Sequence, residues 1–191
     1  MEQNIRFPET VFLIDSDFIN HVITDIKRYF SKQLNRELPA IALDQFITFL
    51  SLDASIKAGE KEIMVILVHE YNTQKLEHCN PSFFKTELND VAFKNNLGEF
   101  QFTSISPEGI VKRQELYLNL LDLITESSDV KRIILIPFED EYIEDVLLKL
   151  KDCTKEVVLF GMNKPGNTKK HQWQVLAYPL MQALGIKGNE I

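Results

Sequence analysis

Residues 133–161 read IILIPFEDEYIEDVLLKLKDCTKEVVLFG, and this stretch decides the fold. A four-residue apolar run, Ile133–Ile136, meets the acids Glu139, Asp140 and Glu141. Ile143, Val146, Leu147 and Leu150 then recur at helical spacing, and a second apolar run follows at Val157–Phe160. Short, uninterrupted apolar runs on either side of an amphipathic helix predict parallel strands buried on both faces. The acids therefore fall where the carboxyl end of a strand passes into a helix. Open α/β sheets place their ligand crevices there.

The same pattern recurs upstream. Val11–Ile14 is an apolar run ending at Asp15, with Ser16 or Asp17 able to cap a helix bearing Phe18, Val22, Ile26, Tyr29, Phe30 and Leu34. A second helix is predicted from Asp44 to Ala58, with Gly59 past its end. Ile63–Val68 is the next buried strand, closing on His69 and Glu70. Asn80-Pro81 predicts a helix start and Gly98 its stop, while Phe100 and Phe102 alternate with polar residues as in a more exposed strand. A further helix includes Glu115 to Ile124. Near the end, Pro179 interrupts the helical spacing from Trp173 to Leu184, which predicts a loop followed by a short helix from Pro179. The order β-α-α-β-α-β-α-β-α-β predicts an α/β fold, a three-layer α/β/α domain with a mainly parallel central sheet.

The length of 191 residues suits one domain with a substantial core. A net charge of -7 argues against indiscriminate binding to nucleic acid or anionic membranes, and the longest apolar run, Ile63–Val68, is too short to span a bilayer. Cys79 and Cys153 lack metal or redox spacing and read as thiols of a reducing compartment. With no leader pattern at the start of the sequence, a cytoplasmic location is expected.

Asp15 and Glu139, each at a predicted strand end, are candidates to share a magnesium or manganese ion, which favours carboxylate oxygens and can activate a water against a phosphodiester. The structural alternative is that Asp15 and Asp17 cap one helix while Glu139 and Asp140 complement the dipole of another. His69, His78 and Cys79 match no zinc spacing. The basic stretch from Lys164 to His171, with Lys169, Lys170 and the neighbouring Trp173, is either a phosphate-backbone contact or a solvated loop beside a core tryptophan. Motifs for dinucleotides, P-loops and hydrolase elbows are absent from the sequence.

Three segments together resemble the NYN branch of the PIN-like nuclease superfamily. VFLIDSDFIN is similar to its opening strand, with the catalytic Asp at Asp15. KRQELYLNLLDLI (Lys112–Ile124) is similar to its Lys-Gly-Val-Asp segment and following helix, placing Glu115 at the aspartate. IPFEDEYIEDVLLKLKDCTKEVVLFGM is similar to its Ser-Gly-Asp-Gly-Asp-Phe motif, helix and closing strand, placing Glu139 and Glu141 at the two aspartates and Tyr142 at the aromatic. The resemblance implies a Rossmann-like (PIN-like) domain whose core spans about residues 10–163, with a basic loop and short helix over 164–191. It implies that Asp15, Glu115, Glu139 and Glu141 ligate Mg2+ or Mn2+ in a ribonuclease, with Lys164, Lys169 and Lys170 holding the RNA backbone. Three of the four acids are Glu where the family has Asp, and the extra methylene displaces a carboxylate by about an ångström. That substitution motivates the second reading, a non-catalytic PIN-like module that binds a protein or nucleic acid.

Overall fold

All four apolar runs predicted as strands form the middle of one sheet. In the computed structural model, which describes residues 6–59, 62–166 and 170–191, β1 (Thr10–Asp15) leads into α1 (Ser16–Gln33), β2 (Ile41–Ala42) and α2 (Leu43–Asp53). Next come β3 (Glu62–Val68), β4 (Cys79–Asn80), α3 (Phe84–Glu87), β5 (Val91–Lys94) and β6 (Glu99–Ile105). α4 (Arg113–Glu126), β7 (Arg132–Ile136), α5 (Glu139–Lys149) and β8 (Glu156–Gly161) precede β9 (Gln172–Val175), α6 (Ala177–Ala183) and a 3-10 turn at Gly188–Glu190.

The sheet order is β5-β6-β3-β1-β7-β8-β9, parallel throughout except for the β5–β6 pair. β1 has a parallel neighbour on each side, Val11 standing opposite Met64 of β3 and Ile133 of β7. Its side chains alternate between the two faces. Val11 and Leu13 enter the layer formed with Tyr117, Leu121 and Ile124 of α4, Val146 of α5 and Leu150, which caps the end of α5. Phe12 and Ile14 enter the layer formed with Phe18 and Ile23 of α1, Phe46 and Leu50 of α2 and Leu180 of α6. This is the three-layer α/β/α arrangement, and it explains why no polar residue interrupts Val11–Ile14. Each such side chain contributes about 1.5–3 kcal/mol on burial, so two continuous layers can carry a polar network that is costly to desolvate. Among the described residues no helix is long and apolar enough to cross a membrane.

Successive strands run from β1 to β3 and β6 in one direction, then resume at β7 on the other side of β1. The switch point thus lies between β1 and β7, at the end of the sheet where Asp15 sits.

Three local expectations are corrected. The helix expected from Asn80-Pro81 to Gly98 is only the four-residue α3, followed by a β5–β6 hairpin. Asn95 Oδ1 accepts the amides of Leu97 (2.8 Å) and Gly98 (3.4 Å), closing the hairpin turn, and Phe93 stacks on its cross-strand partner Phe100 with centroids 4.6 Å apart. Cross-strand aromatic pairing of this kind overrides the start signal at Asn80-Pro81. α2 ends at Asp53 rather than Ala58, because Ser55 turns into the left-handed region at φ 60°. The stretch expected as a loop before Pro179 contains β9, which carries Trp173 and extends the sheet beyond residue 163. Pro179 falls in the first turn of α6, where its missing N–H has no intrahelical partner to lose.

Candidate functional site at the carboxyl end of the sheet

Asp15 ends β1 and begins the switch-point crevice. It is 0% exposed, and its Oδ1 accepts the Phe18 amide at 3.0 Å, making it the N-cap of α1. Its Oδ2 accepts two further hydrogen bonds, from the Arg113 Nη1 and from the Tyr142 hydroxyl. Arg113, the first residue of α4, is 4% exposed. Its Nη2 donates to Glu141 Oε2 at 2.6 Å and its Nε to Glu70 Oε1 at 3.1 Å, while Asp17 Oδ2 lies 3.8 Å from Nε. The guanidinium carbon stands 5.0 Å from the centre of the Phe138 ring. A planar, permanently charged fork with five donors suits this task, meeting carboxylates from β1, α1, the end of β3 and α5 at once.

Four carboxylates surround one guanidinium, and the mouth of the site retains excess negative charge. Burial raises the Glu70 carboxyl above its ordinary value, and Asp17 and then Glu141 raise it further. Burial also pushes the Tyr142 phenol far above its ordinary value, with the neighbouring Tyr117 adding to the effect, so Tyr142 stays protonated and donates to Asp15. Tyr142 has φ -149° and ψ 25°, a break inside α5 that separates the turn bearing Glu139, Asp140 and Glu141 from the remaining helix. Its ring lies 5.2 Å from that of Tyr117, whose hydroxyl donates to the Leu13 carbonyl at 3.0 Å.

Of the four acids expected to share a cation, Asp15 and Glu141 converge, and they converge on Arg113. Glu115 sits in the first turn of α4, where its carboxylate accepts the Lys112 amide at 3.4 Å. Glu139 turns toward the end of β8, accepting the Met162 amide at 2.8 Å, the Asn163 amide at 3.3 Å and the Asn163 side-chain amide at 2.8 Å. Gly161 makes room for it: a Cβ there would lie 2.5 Å from Glu139 Oε2. Among the described residues no group of three or more His, Cys, Asp or Glu is arranged to hold a metal ion. The magnesium or manganese implied by the resemblance does not fit these residues. A guanidinium already bridges Asp15 and Glu141, and Glu115 and Glu139 direct their oxygens at backbone amides elsewhere.

The whole crevice lies within residues 4–191, which match DUF6621, a family of unknown function. The chain belongs to DUF6621. Comparison with curated proteins and with solved structures finds no match.

In this DUF6621 chain the expected basic contacts divide. Lys164 is exposed just beyond β8, and Lys170 donates to the Lys151 carbonyl at 2.6 Å, while Lys169 falls outside the described residues. Trp173 is partly buried against the α4–α5 layer, as expected for a core tryptophan. His69 stacks on Phe84 with centroids 3.9 Å apart, His78 Nε2 lies 3.1 Å from the Thr24 hydroxyl and Cys79 is buried in the core, and among the described residues these three do not form a group arranged to hold a metal ion.

The sequence reading missed Arg113 as a site residue. A cation in the first turn of a helix opposes the dipole, but a solvated helix start shares that pattern, so the signal for Arg113 is weak in the sequence alone.

Proposed function

We propose that this chain is a non-catalytic PIN-like module that binds a protein partner, in which Arg113 performs the bridging task that the nuclease reading gives to a divalent cation. The observation that carries the reading is the buried Arg113 guanidinium, hydrogen-bonded to both Asp15 and Glu141. With a cation already held covalently on α4, Asp15 needs no metal for charge balance, and its oxygens are engaged by the Phe18 amide, Arg113 and Tyr142. The charge balance favours protein over RNA. The net charge is -7, and the crevice places four carboxylates around one guanidinium, whereas RNA affinity is supplied by clustered Lys and Arg.

The test combines a thermal-shift titration with magnesium and manganese chloride and incubation with a single-stranded RNA. The expected result is an unchanged melting temperature, no saturable RNA binding and no cleavage. A cation held at about a hundred times its Kd would stabilise by about 2.7 kcal/mol, a rise of about 5–11 °C for a chain of this size. A rise of that order, or metal-dependent RNA cleavage, abolished by Asp15→Asn would overturn the reading and restore the ribonuclease with Asp15, Glu115, Glu139 and Glu141 as its ligands.

A further inference from the structure

Residues 69–78, which connect β3 to β4, lie along one stripe of α1. Asp17, Asn20 and Thr24 follow at spacings of three and four and so project from one face of the helix. Asp17 accepts the Glu70 amide at 2.8 Å and the Thr73 hydroxyl at 2.6 Å. Asn20 accepts the Glu77 amide at 2.8 Å and donates to the Lys75 carbonyl at 3.0 Å. The Thr24 hydroxyl meets His78 Nε2 at 3.1 Å. The connection is held independently at its centre, where Leu76 is 1% exposed and its amide donates to the Ser82 carbonyl at 3.0 Å. A histidine stands at each end. His69 is 6% exposed, stacked on Phe84 with its Nδ1 2.8 Å from the Glu70 carbonyl oxygen.

We propose that residues 69–78 form an acid-sensitive strap, in which charging of His69 and His78 loosens the connection from the Asp17, Asn20 and Thr24 stripe and draws Glu70 away from Arg113, opening the crevice. Glu70 couples the strap to the crevice, since its amide is bound by Asp17 and its carboxylate by Arg113. Neither hydrogen bond made by the imidazoles requires a second proton, and both rings occupy places unfavourable to charge. Burial is the leading cause that lowers each imidazole below its ordinary value of 6.5. At His69, the Glu70 backbone, Asp17 and the Thr73 backbone act in the opposite sense, and Lys85 adds to the lowering. At His78, Lys27 and Lys75 add to the lowering, and Glu77 opposes it. The closed strap therefore binds fewer protons than the open one. Closure is complete above the free-histidine value and weakens as the pH falls below it, by up to about tenfold per pH unit for each histidine.

Native-state hydrogen exchange followed by NMR tests the strap residue by residue. Between about pH 7.5 and 5.5, protection factors of the Glu70 and Glu77 amides should fall several-fold, while those of Leu76 and Val65 hold. The double variant His69→Asn/His78→Gln should keep Glu70 and Glu77 protected equally at both pH values. Unchanged protection in the wild type, loss shared with Leu76 and Val65, or the same loss in the double variant would each overturn the proposal. Should the double variant not fold, imidazole nitrogen shifts of the wild type decide. Both rings must titrate below 6.5 with the Glu70 and Glu77 amide shifts following the same curves, and amide shifts that follow a carboxylate instead sink the idea.

Discussion

Replacing Arg113 with Met keeps much of the aliphatic bulk and removes the guanidinium, isolating the electrostatic role of this residue. Asp15 would remain 0% exposed with two donors, the Phe18 amide and the Tyr142 hydroxyl, but without an ionic partner. Removing one partner of a buried ion pair costs about 3–5 kcal/mol, and the two retained donors hold the expected loss near the lower bound, about 3 kcal/mol. For a chain of this length that corresponds to about 6–12 °C in melting temperature. Glu70 and Glu141 have side chains 50% and 44% exposed, so Glu70→Gln or Glu141→Gln should each cost at most about 1 kcal/mol. Urea unfolding followed by circular dichroism supplies the free energies. A double-mutant cycle with Asp15→Asn isolates the pair: on that background Arg113→Met should cost less than in the wild type by about 1.5 kcal/mol or more. A loss below about 1 kcal/mol, or strictly additive costs in the cycle, would refute the claim that Arg113 neutralises Asp15.

Gly161→Ala should destabilise by about 1–3 kcal/mol by driving the Glu139 carboxylate off the Met162 and Asn163 amides, and the same change should be nearly neutral in a Glu139→Ala background, as read by urea denaturation. Tyr142→Phe removes a hydrogen bond to an ionised carboxylate and should cost about 1.5–3 kcal/mol, whereas Tyr117→Phe, which loses one to the neutral Leu13 carbonyl, should cost about 1 kcal/mol. Burial pushes the Cys79 thiol up to about 12. Its thiolate fraction at about pH 8 is of order 10⁻⁴, so brief iodoacetamide treatment of the native protein should label the half-buried Cys153 and leave Cys79 unmodified by mass spectrometry.

The central strands were legible because burial on both faces leaves an uninterrupted apolar run, as at Val11–Ile14, Ile63–Val68, Ile133–Ile136 and Val157–Phe160. The outer strands lacked that signal. β9 reads Gln-Trp-Gln-Val at the sheet edge, a pattern compatible with a loop, and β5 owes its conformation to Phe93 meeting Phe100 across the hairpin. At the site, the position of Asp15 followed from the strand-to-helix transition. Arg113 was hidden because its meaning depends on Asp15, Glu70 and Glu141, which come from elements far apart in the chain. Lys112-Arg113-Gln114 on its own reads as an ordinary solvated helix start. Glu115 and Glu139 illustrate the converse: local amides claim their carboxylates before any distant ion could.

The central place of β1 also governs the order in which the protein can be assembled during synthesis. β1 can zip onto β3 once residue 68 has left the ribosome, but its other edge stays bare until β7 arrives at residues 132–136. Throughout that interval a row of unpaired peptide groups flanks the apolar run Val11–Ile14, and the face carrying Val11 and Leu13 still awaits the cover supplied by α4 and α5. A ribosome that stalls after β6 would therefore hold a half-sheet with one sticky edge and one uncovered oily face, a form suited to chaperone capture or aggregation. Codon usage and chaperone access over residues 106–131 would then affect yield without altering a single contact of the finished fold.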